Sequence, residues 1–213
     1  GHKAVHWDPV FRTALAEAEI EYHTHKSPSI YVAMPLLNPE AIAPVAGLKD
    51  VSLVIWTTTP WTMPANLGVS MHPEFDYVAV KVASGSHYVV AKELLESFTA
   101  DTGIQGAEVV ATFKATDFDR AKASHPVFDE AESLVMLGEH VTLEQGTGCV
   151  HTAPGHGADD FIIGKAYGLP VFCPVDDKGC YTSEFPQMEG VFVFDANPKV
   201  VELLRERGLL VGH

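Results

Sequence analysis

Residues 146–164, GTGCVHTAPGHGADDFIIG, concentrate the polar side chains that could carry chemistry in this sequence. His151, His156, Asp159 and Asp160 stand there among closely spaced glycines. Imidazole and carboxylate groups are ligands of transition metals. The stretch has neither the Lys-Ser/Thr ending of a phosphate-binding loop nor the G-x-G-x-x-G spacing of a dinucleotide-binding loop. It therefore predicts neither of those sites.

These side chains allow more than one interpretation. A metal site is one, but His151 and His156 are five residues apart across a Pro-Gly turn, and no third strong ligand follows at a familiar spacing. In a structural interpretation, Asp159 and Asp160 complement the dipole of a helix in its first turn, and His151 is an ordinary hydrogen-bonded histidine. A Ser-His-Asp hydrolase is not predicted, because the sequence has no G-x-S-x-G motif. Cys149 is expected to pack inside a strand.

A second polar stretch, IWTTTPWTMPANLG, spans residues 55–68. Its three consecutive threonines end an apolar run, and this fits either a solvated strand or a row of donors and acceptors that lines a cleft. Pro60 and Pro64 must turn the chain out of the strand, which leaves backbone groups available to a ligand.

Composition restricts the class of protein. With 213 residues, of which 46% are hydrophobic, the chain can bury a proper core, and we expect one domain over residues 1–213. Residues 1–2 resemble a tag remnant, and the rest looks like a piece of a longer protein. The sequence has no membrane span or signal peptide, and its three cysteines form no C-x-x-C pair. These features predict a cytoplasmic protein.

The charge of the chain excludes one class of function. Its formal net charge is −14 at pH 7. Phosphate neutralisation by Lys and Arg supplies most of the non-specific affinity for nucleic acids. The chain is therefore not expected to bind nucleic acid autonomously.

The elements that must position these residues are mostly strands. Period-two alternation predicts a hairpin of residues 18–22 and 30–34, and two strands within 75–92 that join across Ser84-Gly85-Ser86. Further strands are predicted within 50–58, 107–118 and 133–151. Helices are predicted at 91–101, 158–168 and 197–208, the last with Asn197 as its cap, Pro198 at its first position and Gly208 past its end. Many short strands with a few peripheral helices predict an α+β barrel or sandwich.

Together the two polar stretches, TTTPWTMPAN and GTGCVHTAPGHGADDFIIGKAYGLPV, resemble the inserted editing domain of isoleucyl-tRNA synthetase. ALAEAEIEY followed by SPSIYVAMPL resembles the entry to that insertion, so the likeness covers the whole chain. The related valine and leucine enzymes carry Arg where Thr59 stands, and the valine enzyme has Lys in place of His151. The HIGH and KMSKS motifs of the synthetic site are absent.

The resemblance implies a closed β-barrel, mainly β with peripheral helices, that hydrolyses valyl-tRNA charged on isoleucine tRNA with a positioned water and excludes isoleucine by size. It implies no metal or cofactor. The partners implied are the valine-bearing 3′ end of that tRNA and the other domains of the parent synthetase, without a membrane. Asp160 would take the α-ammonium group, and His151 would limit side-chain size and contact the ribose. The ester pocket would involve Thr57, Thr58 and Thr59, with support from Trp56 and Asn66.

The chemistry explains why such a site is needed. One missing methylene is worth only ~1–3 kcal/mol in an apolar pocket, too little to reject valine at the isoleucine site, and the isoleucine enzyme is itself the standard example of this limit. Because the neighbouring ribose hydroxyl already activates the ester, the site needs a positioned water and no covalent nucleophile. Two alternatives stay open, a non-catalytic tRNA or amino-acid binding module and a zinc-dependent hydrolase.

Helix geometry alone does not choose between the two aspartates. They lie ~100° apart if both are helical. Asp159 falls on the side of Ile162 and Ile163, whereas Asp160 falls toward the flank near Tyr167. The choice of Asp160 therefore depends on the resemblance.

Overall fold

The computed structural model describes residues 3–213, so the predicted tag remnant at residues 1–2 lies outside the described residues. Within residues 3–213 the chain forms three α-helices: α1 (Leu95–Thr102), α2 (Ala158–Ala166) and α3 (Val193–Glu206). The same part of the chain forms twelve strands: β1 (His6–Asp8), β2 (Thr13–Leu15), β3 (Ile30–Pro35), β4 (Val51–Thr57), β5 (Gly68–Met71), β6 (Asp76–Lys81), β7 (His87–Ala91), β8 (Glu108–Lys114), β9 (Lys122–Ser124), β10 (Glu132–Leu137), β11 (Cys149–Thr152) and β12 (Leu210–Gly212).

The strands of the described residues form three sheets. One has six strands in the order β12-β3-β4-β7-β6-β8, and another has four in the order β11-β5-β10-β9. The third sheet is the β1-β2 pair. The pairs β4-β7 and β5-β10 are parallel, whereas all other paired strands are antiparallel. The prediction of a mainly β fold with few helices is confirmed.

The predicted closed barrel is wrong. Among the described residues, the six-stranded sheet ends in β12 and β8 and the four-stranded sheet ends in β11 and β9, so no ladder runs around a ring. A single bridge, Leu36 to Ala123, links an extension of β3 to β9. Pro60 and Pro64 explain part of this opening, because they turn the chain from β4 into the 3-10 helix Pro60–Ala65. The next strand, β5, then starts the second sheet.

The four central strands of the six-stranded sheet, β3, β4, β7 and β6, are buried on both faces, and this explains their near-continuous apolar sequences, whereas the edge strand β8 is largely exposed. In β3, Ile30 and Val32 face the main core, which also contains residues of β5 and α3. The intervening Tyr31 belongs to a smaller core on the other face, together with Phe98 of α1. The main core thus supports the strand ends that carry the site.

Of the two predicted hairpins, one is confirmed and one is wrong. β6 and β7 pair antiparallel around the Ser84-Gly85-Ser86 turn, as predicted. Residues 20–29 form no strand, and Glu17–Glu19 is a 3-10 turn. Tyr22 is 85% exposed, so the alternation there has no core to face.

The predicted start of the last helix is also wrong. α3 begins at Val193, which places Asn197 and Pro198 inside the helix. The Asn197 side chain accepts a hydrogen bond from the Trp61 N–H at 3.0 Å and so links α3 to the segment after β4. Gly208 follows the helix with φ 72°, as predicted.

Candidate active site

A cleft of about 320 Å³ lies beside the end of β4, β11 and the first turn of α2. It brings together six of the seven predicted site residues, which are Trp56, Thr57, Thr58, Thr59, His151 and Asp160. The seventh, Asn66, is fully buried and contacts His151. β4 and β11 are neighbours in the fold although more than ninety residues separate them in the chain.

The threonine segment is held in shape by its own hydrogen bonds. The backbone N–H of Thr59 donates to Oγ1 of Thr57 at 3.0 Å. Thr62 lies one turn later, in the helix that Pro60 begins, and its hydroxyl donates to the Thr59 carbonyl at 2.9 Å. Thr58 lines the cleft, and its hydroxyl has no hydrogen-bond partner among the described residues. Of the three predicted threonines, Thr58 thus has the hydroxyl that is free for a ligand.

Hydrogen-bond partners within the protein hold both ring nitrogens of His151. Its Nε2 lies 2.9 Å from Oγ1 of Thr62, and its Nδ1 lies 2.8 Å from Nδ2 of Asn66. Burial, together with the nearby His125 and His156, lowers the pKa of His151 to about 3. The ring is therefore neutral at physiological pH.

The two aspartates of α2 have different surroundings. Asp160 lines the cleft, and its Oδ2 accepts a hydrogen bond from the Ala153 N–H at 2.8 Å. Burial raises the pKa of Asp160 above its ordinary value, although the bond from Ala153 and the nearby His140 oppose that shift. Asp159 is exposed and does not line the cleft. The structure thus separates two residues that helix geometry alone did not.

Two glycines that line the cleft are required by the backbone conformation and the packing of the protein itself. Gly148 has φ 77°, and a Cβ there would lie 2.5 Å from the Cβ of Ala91. Gly146 has φ 83°, and its Cβ would lie 3.3 Å from Cε3 of Trp56. Positive φ and close packing therefore explain why glycine stands at both positions.

His156 lines the cleft, although sequence reasoning named it only as a possible metal ligand, and the other polar lining residues that were not predicted are Thr62, His140, Thr142, Gln145 and Thr147. Thr62 belongs to the threonine-rich stretch, but only its place one helical turn after Thr59 gives it a partner in β11. The His156 ring packs edge-to-face on Trp61 at 5.0 Å between ring centroids. Burial lowers the pKa of His156 to about 4, so this ring is neutral as well.

No group of three or more His, Cys, Asp or Glu within residues 3–213 could hold a metal ion. Over the same range, no helix is long and apolar enough to cross a lipid bilayer.

No protein-family model matches the chain. It is 52% identical over 213 residues to isoleucine–tRNA ligase of Desulforamulus reducens, a match that covers 100% of this chain and 22% of that protein. It is 54% identical over 211 residues to isoleucine–tRNA ligase of Bacillus licheniformis, which covers 99% of this chain and 22% of that protein. The chain thus spans 22% of the length of these relatives.

Solved structures show the same fold. GlLeuRS-CP1 matches with a TM-score of 0.66 at 15% identity and covers 85% of this chain and 97% of its own. The editing domain of P. falciparum cytosolic leucyl-tRNA synthetase matches with a TM-score of 0.57 at 11% identity and covers 84% of this chain and 86% of its own. At these identities the likeness concerns the fold alone. Through its close sequence relatives, the chain belongs to the isoleucine–tRNA ligases, as a homologue of one segment of them.

Proposed function

We propose that the chain edits valyl-tRNA charged on isoleucine tRNA, by hydrolysing the aminoacyl ester with a positioned water and excluding isoleucine by size. The homology to isoleucine–tRNA ligases and the fold shared with a synthetase editing domain support an editing role in general. The substrate and the residue roles are inferred from the cleft.

The observation that carries the proposal is the charge of the cleft. Asp160 is the one acidic side chain among its described lining residues, which include no Lys or Arg. Every aminoacyl ester carries an α-ammonium group, and a poorly solvated carboxylate forms a strong charge-assisted hydrogen bond with such a cation. A free carboxylate or phosphate would find no lysine or arginine to bind among these lining residues. We therefore assign the ammonium to Asp160.

Cys149 and His151 line the cleft, but neither is suited to act as a covalent nucleophile or a strong base. Cys149 is buried in β11, and burial raises the pKa of its thiol, which opposes formation of the reactive thiolate. A histidine with a pKa of about 3, as His151 has, is a weak base at neutral pH. These groups favour a mechanism in which the substrate's own ribose hydroxyl assists a water. The unpaired Thr58 hydroxyl is the group we expect to contact the ester or that water.

The size filter is assigned to His151. Hydrogen bonds from two directions fix its ring, so the ring cannot swing away to admit a larger side chain. A rigid wall of this kind discriminates by shape, because the extra methylene of isoleucine would collide with packed protein. Thr57 and Thr59 shape the adjoining surface, and Trp56 supports it from the side of Gly146.

Partners and location follow from the same proposal. A chain with a net charge of −14 is expected to bind tRNA weakly, so the other domains of the parent synthetase would hold most of the tRNA. Nanomolar affinity of this chain for tRNA at physiological salt would contradict that expectation. That residues 1–213 act as one domain, and act in the cytoplasm, stays a prediction.

The test is release of the amino acid from charged tRNA by the 213-residue chain. We expect valyl-tRNA on isoleucine tRNA to be hydrolysed with multiple turnover and isoleucyl-tRNA to be spared. Binding of valyl-tRNA without turnover would identify a binding module and refute the proposal. The reaction is repeated after exhaustive chelation, because activity lost to a chelator and restored by zinc would identify a zinc-dependent hydrolase instead.

A further inference from the structure

The buried Asn66 amide has one orientation, which its neighbours dictate. Its Nδ2 lies 3.0 Å from the carbonyl oxygen of Gly68, which can only accept a hydrogen bond. Its Oδ1 accepts a hydrogen bond from the hydroxyl of Ser133 at 2.7 Å. A flipped amide would place two oxygens face to face at Gly68. Asn66 therefore presents an N–H donor on its Nδ2 side.

The second N–H of that amide points at Nδ1 of His151, 2.8 Å away. Because Asn66 donates, Nδ1 must offer a lone pair, and the single proton of the neutral ring is on Nε2. We infer that Asn66 and Ser133 are positioning residues that hold His151 as the Nε2–H tautomer. The tautomer itself follows from geometry alone, whereas its role in selecting the substrate rests on the proposed function.

The tautomer also sets the direction of the next hydrogen bond. Nε2–H donates to Oγ1 of Thr62 at 2.9 Å, so the Thr62 hydroxyl keeps its own proton for the Thr59 carbonyl at 2.9 Å. In the opposite tautomer, the Thr62 hydroxyl would have to donate to Nε2 and could no longer donate to the Thr59 carbonyl. Two donors, on Asn66 and His151, would then face each other. One chain of hydrogen bonds thus runs from Ser133, deep in the four-stranded sheet, to Thr59 in the cleft.

A consequence for the cleft follows from the occupancy of both ring nitrogens. His151 has no free donor or acceptor for a ligand while Asn66 and Thr62 are bound to it. The ring therefore presents carbon atoms to the cleft and acts by shape. The expectation that His151 also contacts the ribose could be met by a hydrogen bond only if one of these internal bonds broke.

The experiment measures the ring nitrogens of the ¹⁵N-labelled 213-residue chain by long-range ¹H–¹⁵N correlation NMR. In the wild type, we expect a protonated, pyrrole-like Nε2 and an unprotonated, pyridine-like Nδ1 for His151. In Asn66→Ala, the ring loses the donor that selects the tautomer, so both nitrogens should move toward intermediate shifts. Hydrolysis of valyl-tRNA should fall on the order of 10-fold in kcat/KM, the effect of losing one buried hydrogen bond to a charged or polar partner.

Ser70→Ala is the matched control. Ser70 is fully buried in β5, as Asn66 is buried just before it, and its hydroxyl bonds to Thr152 at 2.8 Å without touching the Asn66 chain. This variant should lose stability but keep the His151 nitrogen shifts. If Asn66→Ala does not fold, the milder variant Ser133→Ala is measured in its place. Ser133→Ala should broaden or shift the same ring-nitrogen signals of His151.

Two outcomes overturn the inference. One is a wild-type His151 protonated on Nδ1, and the other is a folded Asn66→Ala variant whose ring signals and activity match those of Ser70→Ala. The NMR result does not depend on activity. An inactive wild-type chain with the Nε2–H tautomer would therefore refute the proposed function and leave the tautomer assignment standing, and an active chain with Nδ1–H would do the reverse.

Discussion

The two walls of the cleft are built on opposite physical principles. One wall, here called the hydroxyl wall, consists of residues 57–66 and His151, and internal hydrogen bonds satisfy most of its polar groups. The other wall is the start of α2, where Asp160 has one protein hydrogen bond, from Ala153, and a pKa raised by burial. The hydroxyl wall is suited to exclude ligands by shape, and Asp160 is suited to attract a cation.

Of the two walls, only the one that contains Asp160 lowers the folding stability of the free protein. Removing a carboxylate from water without a full set of partners destabilises its charged form, so Asp160 lowers the stability of the free protein at neutral pH. A bound ammonium would supply the missing partner. The neutral and hydrogen-bonded hydroxyl wall has no such deficit. Substitution of Asp160 should therefore change substrate binding and rate. Substitution in the hydroxyl wall should change the discrimination between valine and isoleucine.

The largest effect is expected from Asp160→Asn. Truncating one partner of a desolvated charge pair costs roughly 2–5 kcal/mol, which corresponds to about a 30-fold to several-thousand-fold loss of kcat/KM for valyl-tRNA. The free energy of unfolding at pH 7 should not fall. The variant removes a carboxylate whose pKa is raised by burial, and whose charged form is therefore disfavoured in the folded protein. Steady-state hydrolysis and urea unfolding measure the two effects. A variant that retains full activity would remove Asp160 from the ammonium site.

The next effect is expected from His151→Ala, which should open the cleft to the larger amino acid. Isoleucyl-tRNA should become a substrate, and the ratio of kcat/KM for the two charged tRNAs should fall by about 10- to 200-fold, the range for one methylene that the isoleucine enzyme itself exemplifies. Thr62→Val is the comparison, because it deletes the Nε2 partner but leaves the ring and its bond to Asn66. It should reduce the discrimination less than His151→Ala does, because one of the two bonds that fix the ring remains. Loss of valine hydrolysis without any gain for isoleucine would make His151 a structural residue.

Acid should unfold the protein through its buried histidines. Burial lowers the pKa of His125 to about 4, of His151 to about 3 and of His156 to about 4, from an ordinary 6.5. Between pH 6.5 and about 4 the unfolded chain therefore binds more protons than the folded one, and stability falls as the pH falls. Each histidine that stays neutral costs about 1.4 kcal/mol per pH unit in that window.

Urea unfolding at pH 7, 6 and 5 measures this slope. His156→Phe, which keeps an aromatic ring against Trp61, should reduce the slope by about a third, since it removes one of the three histidines. His23→Asn is the control, because the His23 side chain is 80% exposed. A free energy of unfolding that stays constant from pH 7 to 5 would show that these rings are not held neutral.

The smallest effect is expected from Asp159→Asn, the neighbour and matched control of Asp160→Asn. Asp159 is exposed in the first turn of α2, where a negative charge interacts with the helix dipole for about 0.3–1 kcal/mol. The variant should lose that much stability and keep its activity on valyl-tRNA. If Asp159→Asn instead loses more activity than Asp160→Asn, the ammonium anchor belongs to Asp159.

Local sequence patterns determined much of this protein. The apolar run before Thr57 predicted β4, alternation around Ser84-Gly85-Ser86 predicted the β6-β7 hairpin, and the segment after Gly157 predicted α2. These features depend on side-chain period and turn chemistry over a few neighbouring residues. The same locality explains the failures, because the alternation at 18–22 is indistinguishable by period from a strand that faces a core.

Only the tertiary structure decided how the elements meet. It opened the predicted barrel into separate sheets, turned Asp160 toward the cleft and Asp159 toward solvent, and brought Asn66 within 2.8 Å of His151 across 85 residues of chain. No local pattern encodes these outcomes, because each is set by packing between distant segments. The pKa of His151 is the clearest case. The residue type made His151 a candidate for the site. Burial among residues from other strands lowers its pKa and keeps the ring neutral.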